Sequence, residues 1–369
     1  MKSDRLYRQK RLGPAGLLVL TWFVLQSSFL GGTVGASDLK AALLAPDQVS
    51  DKQLADLKAQ SYTAVALALS DTNRAGQITA ASQVSHAGFA LYYWIEIGRN
   101  PALADAHPEW MASIQTHEEY RRLFPKLPQL KSNQVIKNYP WVPVLYKETF
   151  LVHRERVRRL LQDKPEPVGI FLNDLQGSPS ACGCGHHLCR WTTDYGPVKT
   201  ATRLPNDAAA NFVGEVQKLA PQAKIIPVWT SECEEVDART LCAGVNCFKG
   251  TCWKEFTAQL QAVATASDRI AALLPYKAFH RDLAEYGEEA GWIRHALASF
   301  SKLPKRYGTN GVPPARLIAV LQGWDVTPGQ VRAQLVQAEK SGAAGVLVSL
   351  MPIEQSWQPR VFVLPTAVP

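Results

Sequence analysis

The stretch that decides the fold is Val168 to Pro197, VGIFLNDLQGSPSACGCGHHLCRWTTDYGP. It begins with an apolar run that is typical of a buried strand, and this strand ends on Asn173 and Asp174. A loop follows that holds three cysteines and two adjacent histidines within eight residues. We therefore expect the chemistry of this protein to lie where this strand ends.

Seven further strand-like runs are distributed along the chain, and helical patterns separate most of them. Alternation of strands and helices predicts a parallel sheet. Eight such units in about 290 residues favour an α/β protein with a single (β/α)8 TIM barrel over an open doubly wound sheet. A glycine-rich phosphate turn, which an open dinucleotide-binding fold needs after its first strand, is missing. The predicted strands are Tyr62–Ser70, Phe89–Gly98, Val142–Tyr146, Val168–Asn173, Ile225–Thr230, Ile270–Tyr276, Leu317–Gln322 and Gly345–Leu350; the predicted helices are Asp47–Gln60, Lys147–Leu161, Asn206–Leu219, Cys252–Ala266, Glu288–Leu303 and Thr327–Ser341.

Long loops are expected after the second, fourth and fifth predicted strands. The first of them runs from Arg99 to Pro140, and its prolines interrupt any long helix. We expect this insertion to lie over the top of the barrel. The loop after the fifth strand, Ser231 to Trp253, holds the four cysteines that the Val168 to Pro197 stretch does not. All seven cysteines therefore lie in two loops that follow consecutive strands.

The amino terminus has the layout of a secretory signal. Its first eleven residues carry five basic side chains and one acidic one, and an apolar stretch and small residues ending at Ala36 follow. We expect residues 1–36 to be removed and residues 37–369 to form the barrel domain, in the periplasm or outside the cell. An uncleaved membrane anchor is the alternative, because the apolar stretch approaches the roughly 20 residues of a spanning helix.

The charge distribution argues against a nucleic-acid partner. The net charge is +8, and half of it lies in the first eleven residues. The rest of the chain shows no dense basic stripe interleaved with aromatic residues, which nucleic-acid binding would favour. Contact with a membrane is expected only through an uncleaved signal segment.

Acidic, amide and aromatic side chains follow at least six of the eight predicted strands. In a (β/α)8 barrel, reactive groups gather at the carboxyl ends of the strands. Carboxylates opposed across that cleft can cleave a glycosidic bond as acid and base or nucleophile, and aromatic rings can stack on sugars. Helix caps, solvated loop acids and tryptophans that plug the barrel mouth are the ordinary alternatives. The candidate catalytic residues, expected to converge on one pocket, are Asp174 (favoured as the acid), Glu232, Glu96 and Asp325; the candidate substrate-binding residues are Trp94, Tyr146, Asn173, Trp191, Trp229, Tyr276 and Trp324.

The cysteine-rich loops allow two interpretations. In an oxidising compartment, cysteines usually pair, so disulfides that join or close the two loops are the favoured one. The alternative is a structural zinc site, although the spacings C-x-C and C-x4-C differ from the paired C-x2-C pattern of zinc knuckles. An odd number of cysteines leaves one thiol over unless a metal holds some of them. No cofactor is expected; the alternative zinc ligands are Cys182, Cys184, His186, His187 and Cys189.

Three segments carry a resemblance to a known group of proteins. They are FLNDLQGSPSACGCGHHLCRWTTDYGP (171–197), IPVWTSECEE (226–235) and YYWIEIGRNPALADAHPEWM (92–111). Together they resemble exported bacterial TIM-barrel proteins that are related to glycoside hydrolases. The resemblance implies a carbohydrate or glycan substrate and a hydrolase, or else a non-enzymatic barrel that binds glycans or an envelope partner through its cysteine-stabilised loops.

The end of the fourth predicted strand is also similar to a feature of retaining barrel glycosidases. Asn173-Asp174 stands where that clan presents its acid/base on an Asn-Glu pair. Two departures are visible. Asp174 is shorter than the glutamate of that pattern, and the seventh strand, where those enzymes carry their nucleophile, ends on Gln322 with Asp325 nearby.

Overall fold

Eight parallel strands close into a barrel, with helices between them, which confirms the predicted (β/α)8 fold. The computed structural model describes residues 39–111, 134–144, 147–175, 208–230, 233–234, 247–248, 251–279, 282, 284–306, 308, 310–353 and 358–363. The strands are β1 (Leu39–Leu44), β2 (Ala64–Leu69), β3 (Ala90–Glu96), β4 (Gln134–Tyr139), β5 (Gly169–Asn173), β6 (Lys224–Thr230), β7 (Cys233–Glu234), β8 (Cys247–Phe248), β9 (Ile270–Leu274), β10 (Leu317–Gln322), β11 (Gly345–Ser349) and β12 (Gln358–Val363). The barrel order is β1, β2, β3, β5, β6, β9, β10 and β11, and β11 closes on β1.

The helices follow the predicted pattern closely where their apolar periodicity is strong. They are α1 (Asp51–Ala59), α2 (Arg74–His86), α3 (Pro101–Ala106), α4 (Lys147–Leu161), α5 (Ala208–Leu219), α6 (Thr251–Ala266), α7 (Trp292–Arg306) and α8 (Pro328–Lys340), with short 3-10 helices at Pro46–Gln48, Pro108–Trp110, Ala284–Tyr286 and Pro314–Arg316. The bounds of α4 are those predicted. Helix α2 was missed, because RAGQITAASQVSH is rich in small and polar residues and shows little apolar periodicity.

One predicted strand is wrong, and one real strand was missed. The described part of the predicted strand Val142–Tyr146 is not a strand, although Val142 and Val144 are fully buried. Its neighbour Trp141 makes only an isolated bridge with Arg99, and Pro143 has no N–H to donate. The missed strand is β1, whose sequence LKAALL consists of helix-forming residues. The two errors compensate, so the fourth to eighth strands keep their predicted rank.

The strand register decides which side chains face the barrel axis. Followed once around the barrel, paired residues return eight positions further along the chain, which is the stagger of (β/α)8 barrels. Glu96 pairs with Asn173 at the carboxyl ends of β3 and β5, and Trp94 pairs with Phe171 one layer below. The centroids of the last two rings are 6.0 Å apart. Because side chains alternate along a strand, these four share the inner face of the barrel.

The insertion after β3 contains a second small sheet. Strand β4 pairs antiparallel with β12, so a segment near the carboxyl end of the chain completes the insertion. Lys137 of β4 is fully buried, and its Nζ donates to the carbonyl oxygens of Glu109 and Met111, each 3.2 Å away. Burial lowers the pKa of Lys137 to about 7, against the opposing effect of the Glu109 charge. This lysine joins the small sheet to the 3-10 helix at Pro108–Trp110.

Within the described part of the chain, no helix combines the length and the apolarity that crossing a bilayer requires. The predicted signal segment, residues 1–36, lies outside the described residues.

A buried histidine ties helix α4 to the segment that was predicted as a strand. The ring of His153 is fully buried, and its Nε2 lies 2.7 Å from the carbonyl oxygen of Val142, to which it donates. Its Nδ1 has no hydrogen-bond partner among the described residues. Burial lowers the pKa of His153 to about 4, although the bond to Val142 opposes this shift. The imidazole is therefore neutral at pH 7.

We expect the free energy of unfolding to fall as the pH is lowered from about 6.5 to about 4. Over this range the unfolded chain protonates His153 and the folded chain does not, so protons favour the unfolded state. The variant His153→Gln retains an Nε2 donor for Val142 and should flatten this slope in urea unfolding curves. The exposed His86 provides the control. A slope that is lost in His86→Gln, or kept in His153→Gln, would contradict the assignment.

Candidate active site

Three of the predicted site residues meet where β3 and β5 end. Glu96 is partly buried, and its two carboxylate oxygens are held separately. The indole Nε1 of Trp94 donates to Oε1 over 2.6 Å, and the amide Nδ2 of Asn173 donates to Oε2 over 2.8 Å. The strand register dictates both contacts, because Trp94 is two residues before Glu96 and Asn173 is its partner on β5. Glu96 is thus a carboxylate in a fixed orientation.

Asp174 lies beside this carboxylate and is only 4% exposed. Its backbone φ is 58°, in the left-handed region that aspartate and asparagine tolerate best among non-glycine residues. The Oδ2 atom has no hydrogen-bond donor among the described residues, and the nearest cation, the Nε of Arg99, is 3.9 Å away. A buried, ionised carboxylate without donors would be costly.

The electrostatic surroundings of Asp174 favour its protonated form. Burial raises the pKa of Asp174 well above its ordinary value, the charge of Glu96 raises it further, and Arg99 opposes both. The two carboxyl groups are within hydrogen-bonding reach of each other. A protonated Asp174 satisfies both groups, because its hydroxyl can donate to the Glu96 carboxylate. The surroundings of the pair thus favour a proton on Asp174.

Two arginines that the sequence reasoning missed support this pair. Arg156 of α4 is buried and donates from Nη1 to the backbone carbonyl of Glu96 over 2.5 Å. Its Nε donates to Asp71, also over 2.5 Å. Arg99 lies over the ring of Trp141, 5.1 Å from its centroid. Nothing in the local sequence marks either arginine, because their partners are distant in the chain.

The end of β10 has a structural role instead of presenting a carboxylate. Gln322 is buried, and its Oε1 accepts from the backbone N–H groups of Lys277 and Ala278, each over 3.1 Å. Its Nε2 donates to the carbonyl of Trp324. The side chain thus fastens the segment after β9 to the end of β10.

Asp325 is not brought to the Glu96–Asp174 pair. It is exposed and has a φ of 52°, and β10 stands opposite β3 in the strand order. The described residues give no hydrogen bond or ion pair between Asp325 and either carboxyl group. No described contact therefore supports the predicted catalytic role of Asp325.

The aromatic candidates are mostly enclosed. Trp94 is buried beneath Glu96, and Tyr276 is buried and donates its hydroxyl to Glu289. Strand alternation places Trp229 on the face of β6 that points to the helices, opposite to the face that Trp94 shares. Trp324 is partly buried against the core. The remaining predicted site residues, Glu232, Tyr146, Trp191, Cys182, Cys184, His186, His187 and Cys189, lie outside the described residues.

Comparisons with known proteins do not assign this chain to a family. Protein-family models and curated protein sequences give no match. Among solved structures, the chain is similar to a beta-galactosidase from Halorubrum lacusprofundi (11% identity, TM-score 0.48, covering 84% of this chain and 52% of that one). It is also similar to alpha-L-fucosidase isoenzyme 2 from Paenibacillus thiaminolyticus (12%, 0.42, 85% and 46%) and to pyruvate carboxylase from Rhizobium etli (9%, 0.38, 86% and 24%). The chain spans about half the length of the two glycosidases.

The cysteine loop after β6 has one described feature. The two-residue strands β7 and β8 pair in parallel, and their register places Cys233 opposite Cys247. Neighbouring strands are about 4.8 Å apart, which lies within the Cα separation that disulfides allow. A disulfide is not shown there and stays a prediction. Among the described residues, no group of His, Cys, Asp and Glu side chains is arranged to hold a metal ion.

We expect Glu96→Gln to lower the pKa of Asp174 without returning it to its ordinary value. The substitution removes the neighbouring charge, and burial, the larger cause of the shift, remains. Carboxyl ¹³C chemical shifts of aspartate-labelled protein, followed against pH, measure this directly. Asp325→Asn serves as the control, because that side chain is exposed. An Asp174 titration that Glu96→Gln leaves unchanged would disprove the sharing of a proton.

We also expect peptide mapping under non-reducing conditions to find Cys233 and Cys247 in one disulfide-linked pair. The parallel register brings their backbones together whether or not the other cysteines pair. If the other cysteines of the two loops also pair, as an oxidising compartment favours, alkylation of denatured, chelator-treated protein should leave one free thiol of seven. Seven free thiols with stoichiometric zinc would instead establish the metal interpretation.

Proposed function

We propose that this protein is an exported, carbohydrate-active hydrolase that cleaves glycosidic bonds at the carboxyl end of its barrel. The observation that supports this proposal is the Glu96–Asp174 pair, a buried carboxylic acid in contact with an oriented carboxylate. The barrel fold supplies the position, since the carboxyl ends of the strands are where catalytic groups lie in (β/α)8 enzymes. The substrate class also rests on the sequence resemblance, and the export on the layout of residues 1–36.

Asp174 is the proposed general acid. Cleavage of a glycosidic C–O bond requires a proton for the departing oxygen, and a carboxyl group that is still protonated near neutral pH can supply it. Burial and the charge of Glu96 favour that form of Asp174. Glu96 is the more exposed of the two and lies within hydrogen-bonding reach of Asp174, so it can also relay the proton to the leaving group.

Glu96 and Asp174 are too close together to act as the two opposed carboxylates of a glycosidase. Such groups stand about 5 Å apart in retaining enzymes and about 6.5–9.5 Å apart in inverting ones, because the sugar or a water lies between them. A directly hydrogen-bonded pair occupies one side of the bond. The opposing base or nucleophile must then come from another strand end, and Glu232, after the neighbouring β6, is the proposed residue. No cofactor takes part in this proposal.

The test is hydrolysis of a panel of 4-nitrophenyl glycosides and of soluble polysaccharides. Asp174→Asn should lower kcat by about 100-fold or more, as loss of a positioned acid does. Asparagine tolerates the left-handed backbone of residue 174, so the variant should keep its fold. Asp325→Asn is the matched control, because it is the same substitution at another left-handed position. It should retain wild-type kcat.

Three outcomes would contradict parts of this proposal. Full activity in Asp174→Asn together with loss of activity in Glu232→Gln would transfer the acid role to Glu232. Equal losses in Asp174→Asn and Asp325→Asn would point to a general effect of the substitution. Glycan binding by the wild type without hydrolysis of any substrate would show a binding protein instead of an enzyme.

A further inference from the structure

The insertion after β3 has its root beside the candidate active site. This root consists of residues 98–100, which come just after Glu96, and residues 140–142, which follow β4. The N–H of Val142 donates to the carbonyl of Gly98 over 2.8 Å, and a second backbone bond of 3.1 Å joins the other ends of the two segments. The segments are therefore fixed to each other next to the carboxyl pair.

Arg99 and Trp141 lie opposite each other in this root and pack together. Their backbones form an isolated antiparallel bridge, and the guanidinium of Arg99 lies over the indole, 5.1 Å from the ring centroid. The face of an aromatic ring attracts a cation at this distance. The indole is itself fixed, since Trp141 is only 5% exposed and His153 of α4 donates to the carbonyl of the next residue, Val142. The insertion root thus sets the position of the guanidinium.

The charge of Arg99 lies close to Asp174 in a region that water barely reaches. Its Nε is 3.9 Å from Oδ2 of Asp174, and the two side chains are 9% and 4% exposed. Charges at such a distance interact far more strongly out of water than in it. Accordingly, Arg99 opposes the rise in the pKa of Asp174 that burial and the charge of Glu96 cause. This effect acts through the charge, so it does not require the guanidinium to be free of other contacts.

A general acid in this position has two requirements. Before the reaction it must keep its proton, which burial and the charge of Glu96 favour. As the proton leaves, a carboxylate forms beside a second carboxylate and out of water, which is costly unless a cation is near. An interaction that strengthens during proton transfer accelerates the reaction, whereas one that is equally strong beforehand does not. The contact between Arg99 and Oδ2 of Asp174 is of the first kind.

We propose that Arg99, held against Trp141 at the root of the insertion, is a positioning residue that stabilises the Asp174 carboxylate as its proton leaves. The proposal rests on the proposed function, in which Asp174 is the general acid. The proton goes to the departing glycosidic oxygen, and the electron pair of the broken O–H bond stays on Asp174. The insertion then has a part in the chemistry, because its root places the cation that the acid requires.

The first test is the titration of Asp174, followed by carboxyl ¹³C chemical shifts of aspartate-labelled protein. Arg99→Met removes the charge and keeps a long side chain, so it should raise the pKa of Asp174 above that in the wild type. Arg99→Lys restores a positive charge and should return the pKa toward the wild-type value. Arg360→Met is the matched control, because Arg360 also lies over an aromatic ring of the insertion, that of Tyr139, but pairs with Asp105. It should leave the Asp174 titration unchanged.

The second test is the pH dependence of glycoside hydrolysis. The upper limb of the kcat/KM profile reports the loss of the proton from the acid, so Arg99→Met should move this limb to higher pH. It should also lower kcat on the plateau about tenfold, because a weaker acid gives up its proton more slowly. Trp141→Leu removes the ring and keeps both charges, so it should move the limb in the same direction by a smaller amount. A purely structural loss would lower kcat and leave the limb in place.

An Asp174 titration that is the same in Arg99→Met and in the wild type would overturn the proposal, as would an equal shift in Arg360→Met. Should Arg99→Met not fold, Arg99→Gln gives the same comparison with a neutral polar side chain. The titration needs no substrate, which separates this proposal from the hydrolase activity. A raised pKa in Arg99→Met of an inactive protein would support the electrostatic role and count against the hydrolase. An active enzyme with an unmoved titration would refute only the role of Arg99.

Discussion

The hydrogen-bonded register between β3 and β5 is the constraint on which the candidate site depends. It places Asn173 opposite Glu96, so that an amide reaches one oxygen of the carboxylate while Trp94, two residues earlier on β3, reaches the other. A shift of one residue would turn these side chains toward the helices. Barrel closure prevents such a shift, because a change in one register must be taken up by the other seven pairings.

The same register creates the polar environment that a buried acid needs. Asp174 comes directly after the last residue of β5 and lies beside Glu96 with a left-handed backbone. Burial of Asp174 and the charge of Glu96 beside it both disfavour a second ionised carboxyl group, so the fold favours a proton on Asp174. The cost of burial is offset by the donors to Glu96 and by Arg156, which holds the backbone at the end of β3.

The fold and part of the site could be predicted from the sequence, because some elements have a clear local pattern. Helix α4 has a strong apolar periodicity and strand β11 is an apolar run, so the local sequence is enough to predict both. Strand β1 does not, because its alanine and leucine residues become a strand only through pairing with β2 and β11. The meeting of Glu96 with Asp174 was expected, since both follow barrel strands.

Other properties depend on contacts between distant segments, and no local pattern reveals them. The sequence shows only that Gln322 departs from a catalytic pattern. In the structure its side-chain oxygen accepts hydrogen bonds from two backbone N–H groups after β9. Trp229 was predicted at the mouth, but which face of β6 it occupies follows from register alone. Arg156 was not singled out, because its partner Glu96 is 60 residues away in the chain.

The way the chain closes on itself has a consequence for its synthesis. Strand β1 pairs with β11, about 300 residues later, and the insertion strand β4 pairs with β12 near the carboxyl end. Contacts at such separation form slowly, since a long loop must be ordered before they contribute. An emerging chain therefore leaves one edge of β1 and the whole of β4 without their partners until the segments that contain β11 and β12 have been made.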